Sequence, residues 1–218
     1  MRLSRKSKDP LGDAPVDAGE VETAPVDPRA NGPWDSGEKD VGDDTAYLDF
    51  GSLLIRGRPG FNLQMPADDD QGTIGSVVLV TDNSGLELRA FADARSGGLW
   101  DAVRTDLKEE AERLEGEAQQ VDGPFGPELH VKVPVTTPDG EKGFQPTRII
   151  GIEGPCWMLR ATFLGQEALE PSDDSLLMQA LHDVVVVRGD DPRAPRDALL
   201  VTIGEDLEPV EGSDDDPA

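Results

Sequence analysis

The chain has 218 residues, enough for one ordinary domain with extensions, and its 36% hydrophobic and 5% aromatic content leaves part of that length outside any core. Its 45 acidic against 20 basic residues give a formal charge of -25, a field that repels phosphate backbones and argues against nucleic acid as a partner. One cysteine, Cys156, excludes an intramolecular disulfide, no run approaches the ~18 apolar residues of a membrane span, and the basic start Arg2, Arg5, Lys6, Lys8 has no apolar stretch behind it, so a cytoplasmic location is expected.

Residues 1–44 hold six basic and eleven acidic residues among Pro, Gly and Ala, without helical or strand periodicity. Residues 205–218 hold seven acidic residues and no basic one. Low hydrophobicity with like charge does not offset chain entropy, so both ends are expected to be disordered acidic tails around a single domain at 45–204.

Inside that domain, 51–56 and 61–65 read as short strands around the turn Gly57-Arg58-Pro59-Gly60, and Asp68-Asp69-Asp70-Gln71-Gly72 as a polar turn. The β-branched run 74–81 reads as a buried strand. Residues 86–92 then alternate, with Leu86, Leu88, Ala90 and Ala92 on one face and Glu87, Arg89 and Phe91 on the other. Trp100, Val103, Leu107, Ala111, Leu114, Ala118 and Val121 form one apolar stripe at helical spacing, with Ser96 as the expected N-cap and Gly116 weakening the last turns. In 129–135, Leu129, Val131, Val133 and Val135 point inward, and Pro134 suggests an edge strand. The turn Pro138-Asp139-Gly140 leads to a strand at 147–152. In 156–164, Trp157, Leu159, Ala161 and Phe163 share one face and Cys156, Met158, Arg160 and Thr162 the other. A second helix is predicted from the Pro171-Ser172-Asp173 start to about Asp183, with closing strands at 184–187 and 199–203. The order predicts an α+β fold, a largely antiparallel sheet of about six to eight strands with two helices packed on it. In element order alone it is loosely similar to the Mog1/PsbP type.

Gly32-Pro33-Trp34-Asp35, Asp49-Phe50-Gly51-Ser52-Leu53, Phe91-Ala92, Arg95-Ser96-Gly97-Gly98-Leu99-Trp100-Asp101 and Gly123-Pro124-Phe125-Gly126 follow one another along the chain. Gly151-Ile152-Glu153-Gly154-Pro155, Trp157-Met158-Leu159-Arg160 and Val185-Val186-Val187-Arg188-Gly189 complete the series. Together, from Trp34 to Ile203, they resemble the actinobacterial family known as a domain of unknown function of the DUF3710 type. The resemblance implies a high-GC actinobacterial source and no established activity. Members often read Gly-Pro-Arg-Trp where this chain has Gly154-Pro155-Cys156-Trp157, so no role for that arginine carries over.

Reactive residues are scattered. Cys156 with His130 or His182 would make a thiolate–imidazole pair, but nothing in the spacing brings them together, and an ordinary strand cysteine is the simpler reading. Asp68-Asp69-Asp70 lacks the spaced ligands of a calcium loop and reads as a charged turn; Arg56-Gly57-Arg58-Pro59-Gly60 lacks phosphate-loop spacing. No catalytic residue, metal site or cofactor is therefore assigned, and the balance leans away from an enzyme. Trp34 has no local reason to stand in a polar tail. It either anchors the tail on its own domain, the favoured reading, or serves as a hook for a partner. Arg148 and Arg160, on adjacent predicted strands, are read chiefly as surface ion-pair members; the alternative is that they receive an acidic ligand. Two functions stand open: a non-enzymatic interaction or adaptor module for a partner with a basic surface, or a small-molecule binder or enzyme with a pocket beside the sheet in which Arg148 and Arg160 contact an acidic ligand. The sequence does not set the oligomeric state.

Overall fold

A computed structural model describes residues 27–68, 72–136 and 140–202. The short strands β1 (Trp34–Asp35), β2 (Tyr47–Asp49), β3 (Leu53–Arg56) and β4 (Asn62–Gln64) come first. Then follow β5 (Val77–Val80), β6 (Ser84–Ala92), the helix α1 (Leu99–Arg113) and β7 (Glu117–Gly123). Three long strands form the centre: β8 (Gly126–Thr136), β9 (Lys142–Gly154) and β10 (Trp157–Gly165). The helices α2 (Gln166–Leu169) and α3 (Leu176–Asp183) and the strand β11 (Val185–Val186) close the chain.

The fold is α+β. A seven-stranded antiparallel sheet runs β4-β5-β6-β10-β9-β8-β7, and a four-stranded sheet runs β1-β11-β3-β2 with only β1 and β11 parallel. The alternation of β10 sorts its side chains as its sequence dictates. Trp157, Leu159, Ala161 and Phe163 join Leu86, Leu88, Ile150 and Ile152 in the main core, against Leu53, Ile55 and Val186 of the small sheet and Leu177, Met178 and Leu181 of α3. Met158 lies in a second core with Leu129, Val131 and Ile149 beneath Leu99, Trp100 and Ala111 of α1. Among the described residues the helix packs chiefly on β7, β8 and β9, with Phe91 of β6 at the margin of the core beneath it, and the same face of β4, β5 and the rest of β6 carries no comparable helix packing.

Several expectations are corrected. The helical stripe does not extend to Ala118 and Val121, which lie on β7. The helix stops because Glu115 turns left-handed (φ 59°). The Gly116 N–H then donates to Ala111 O at 2.8 Å and the Glu115 N–H to Glu112 O at 3.1 Å, a Schellman closure with glutamate where glycine is usual. Gly116 is required there, since a Cβ would crowd the Lys132 carbonyl. Ser96 is not the N-cap. Gly98 occupies that position, and the Glu153 carboxylate from β9 accepts from the Gly98 and Trp100 N–H groups, each at 2.9 Å. β8 as a whole is not an edge strand, since it lies between β7 and β9, but β7 pairs no further than Lys132, so among the described residues Pro134 stands on a stretch with β9 alone beside it, the local free edge its missing N–H allows. A third helix, α2, and the small sheet were not expected. Within the stretch expected as tail, residues 27–44 carry β1, which pairs with β11. Residues 1–26, 69–71, 137–139 and 203–218 lie outside the described residues, and with them Asp69, Asp70 and Gln71 of the expected polar turn, Pro138 and Asp139 of the next turn and the end of the expected strand at 199–203.

Candidate binding site

Trp34 is held by its own domain. Its N–H donates to Val184 O at 2.9 Å, it pairs with Val185, and the Lys39 ammonium sits 5.5 Å from its half-buried ring. The next residue, Asp35, accepts from the Trp157 indole N–H at 2.7 Å, and Arg29 stacks over the same indole at 5.4 Å. Paired bonds of 2.9 Å to Glu38 hold Arg29; they raise the guanidinium's pKa against the effect of burial and lower that of Glu38. The tryptophans also explain two glycines. A Cβ on Gly151 would overlap the Trp100 indole, and one on Gly154 would overlap that of Trp157. Much of the recognisable string set is therefore architecture.

Cys156 stands at the third position of the tight turn Gly154-Pro155-Cys156-Trp157 with φ 61°, a left-handed conformation that usually asks for glycine or asparagine. His130 is engaged elsewhere, with Nε2 2.6 Å from Glu128 Oε1, and His182 lies against Gly32 O and the Phe125 ring. Asp68 is committed to Arg89, and among the described residues no group of three metal-ligating side chains occurs.

Arg148 and Arg160 do not share a pocket. Across β9 and β10, Arg148 pairs with Phe163 while Arg160 pairs with Gly151, an odd offset that puts them on opposite faces. Arg148 is 2% exposed in the main-core face, 5.4 Å over the Phe163 ring. The equally buried Glu128 accepts from its Nε at 2.8 Å and its Nη2 at 2.9 Å. Such a bidentate bond in a low-dielectric setting is structural, and it leaves Arg148 no access for an outside ligand. Near it, between β7, β8, β9 and α2, lies a cleft of about 200 Å³ lined by Gln119, His130, Lys132, Thr147 and Leu169.

Arg160 is different. It stands half-buried on the helix-side face, its guanidinium 5.7 Å from the Phe91 ring, and its Nε is buried with no acceptor among the described residues. Its cross-strand neighbour on β6 is Arg89. Asp68 accepts from both Arg89 terminal nitrogens at 2.8 and 2.7 Å, and Glu87 lies 3.4 Å away, yet the Arg89 Nε is likewise buried and, among the described residues, unpartnered. Burial lowers the Arg160 pKa; Glu87 and Asp68 oppose that fall and Arg89 adds to it. At Arg89 burial acts in the same direction, but the bonds to Asp68 and the charge of Glu87 outweigh it and raise the pKa. Around the pair, Val78 and Val80 are partly exposed on the helix-free part of the sheet. The pair of like charges escapes a single-sequence reading. Alternation puts Arg89 on the polar face of β6, but only the register of β6 with β10 brings it beside Arg160.

Comparison with known proteins adds a family but no activity. No curated protein matches the sequence. A crystal structure from Bacteroides thetaiotaomicron VPI-5482 is similar with 14% identity and a TM-score of 0.39, over 62% of this chain and 45% of that one, so the chain spans less than half of that protein's length. The solution structure of cyanobacterial PsbP (CyanoP) from Synechocystis sp. PCC 6803 is similar with 12% identity and a TM-score of 0.35, over 68% of this chain and 96% of that one. The family model described as "Protein of unknown function (DUF3710)" matches residues 32–209, and the chain belongs to that family.

Proposed function

We propose that the protein is a non-enzymatic interaction module of the cytoplasm that docks a partner on the helix-free face of its large sheet, with Arg160 at the contact. The observation carrying this reading is Arg160 itself: among the described residues it has no carboxylate partner, while Arg29, Arg89 and Arg148 are each held by one in bidentate geometry. The formal charge of -25 favours a partner whose surface is basic overall, since long-range attraction speeds encounter and short-range contacts then select. In the experiment, tagged full-length protein and its Arg160→Glu variant capture partners from native lysate of the source cells. A partner retained by the native protein, lost on Arg160→Glu and weakened by salt is the expected result. Equal capture by both proteins, or no capture above an untagged control, removes the reading.

A second reading has one observation in its favour, the cleft beside α2 with His130 and Lys132 in its wall and the exposed Leu169 at its rim. At about 200 Å³ it is smaller than the ~300–1,000 Å³ of ordinary ligand pockets, so only a small acid would be taken there, by His130 and Lys132 against the charge of Glu117 and without Arg160. A thermal-shift screen of acidic metabolites, repeated on Lys132→Ala, tests it; no shift with any compound counts against it.

A further inference from the structure

We propose that Arg160 and Arg89 form a receiving site for a carboxylate, presented by an acidic side chain on the docked partner. This rests on the docking reading above and names the chemistry of its central contact. The two arginines are directly opposed on β10 and β6, so their Cβ atoms are about 5 Å apart on one face. Among the described residues neither buried Nε–H has an acceptor, and the Arg160 terminal nitrogens, unlike those of Arg89, are bonded to no carboxylate. The half-buried Arg160 fork is partly desolvated yet not closed off, so it gains more from an incoming anion than a solvated lysine would.

The surrounding charges decide which anion. Asp68 and Glu87 already face the pair, and Ser76 Oγ lies 3.5 Å from an Arg89 nitrogen. Among the described residues, two guanidinium charges against two carboxylates leave the site near neutral. A monoanionic carboxylate adds one uncompensated charge; a phosphoryl group at neutral pH adds nearly two, beside Asp68 and Glu87, at a higher Coulomb cost. Planarity argues the same way, since one carboxylate presents two coplanar oxygens to guanidinium edges. The partner is then a basic surface with a single carboxylate at its centre, and Phe91, Val78 and Val80 offer apolar contact around it.

The test follows the arginine Nε–Hε resonances of the full chain during titration with sodium acetate, with sodium phosphate and sodium chloride at matched ionic strength. Acetate is expected to move the Arg160 and Arg89 signals saturably, and phosphate less strongly. Arg160→Lys, which keeps the charge but removes the Nε–H and the planar fork, is expected to abolish the Arg89 response; Arg160→Gln serves if the lysine variant is misfolded. Absence of an acetate-specific shift, a phosphate response at least as strong, or an Arg89 response surviving loss of the Arg160 fork overturns the proposal. The two ideas fail separately. Partner capture insensitive to Arg160→Glu defeats docking even if acetate binds, whereas capture lost on Arg160→Glu without an acetate response defeats the carboxylate and leaves docking in place.

Discussion

Replacing Glu153 tests whether a side chain borrowed from the sheet holds the start of α1, the longest helix among the described residues. One oxygen of that carboxylate accepts from two amides, Gly98 and Trp100, each at 2.9 Å. No side chain of the local sequence caps α1, because its N-cap is Gly98. Glu153→Ala strips both amides of their acceptor, a loss of about 0.5–2 kcal/mol by analogy with ordinary N-caps. It also removes a negative charge from the positive end of the helix, about 0.3–1 kcal/mol more. The effects overlap, so about 2 kcal/mol is expected, or a fall in Tm of about 4–8 °C for a chain of this size. Glu153→Gln keeps an oxygen acceptor and loses the charge, and should cost about 0.3–1 kcal/mol. Thermal and urea unfolding by circular dichroism give the stabilities, and amide exchange at Gly98 and Trp100 locates the effect. An alanine variant within about 0.5 kcal/mol of the native protein, the scale of ordinary surface substitutions, would refute the cross-sheet cap. So would glutamine and alanine variants of equal stability.

Glu115→Gly should stabilise the protein by about 1 kcal/mol, since a left-handed residue at the close of α1 carries a penalty glycine avoids; an unchanged urea midpoint would contradict this. Glu128→Ala should cost about 3–5 kcal/mol by stranding the buried Arg148 charge, and a loss under 1 kcal/mol, measured by denaturant unfolding, would mean that Arg148 is not as buried as described. Burial raises the pKa of Glu167 against the opposing charge of Arg148. An acid with a raised folded-state pKa binds its proton more tightly when folded, so it costs stability once pH rises above the ordinary carboxylate range. Glu167→Gln keeps an oxygen for the Ser175 hydroxyl, and should be more stable than the native protein at neutral pH, the gap closing below about pH 4; a gap that does not depend on pH would exclude ionisation as its cause.

Alternation along one strand was sufficient for the faces of β6, β8 and β10 without reference to any partner, while the β-branched run located β5, which is half-exposed on one face rather than buried throughout, and turn signals located the middle of the longer β9. The same logic put Trp157 and Arg160 on opposite sides of β10, and Ser175 and Asp183 bound α3 close to where turn chemistry predicted. It failed at Ala118 and Val121, whose spacing continues the α1 stripe although Glu115 and Gly116 have already reversed the chain. What needed the tertiary structure was every relation between elements. Arg148 and Arg160 look like partners on neighbouring strands until the β9–β10 register separates them by an odd step. Arg89 becomes Arg160's neighbour, Glu153 becomes the cap of a helix more than fifty residues earlier, and Trp34 gains a place beside β11 by the same kind of pairing. Side-chain parity is a property of one strand's backbone, but register is set by which hydrogen bonds form between segments distant in sequence, and no local pattern encodes that choice.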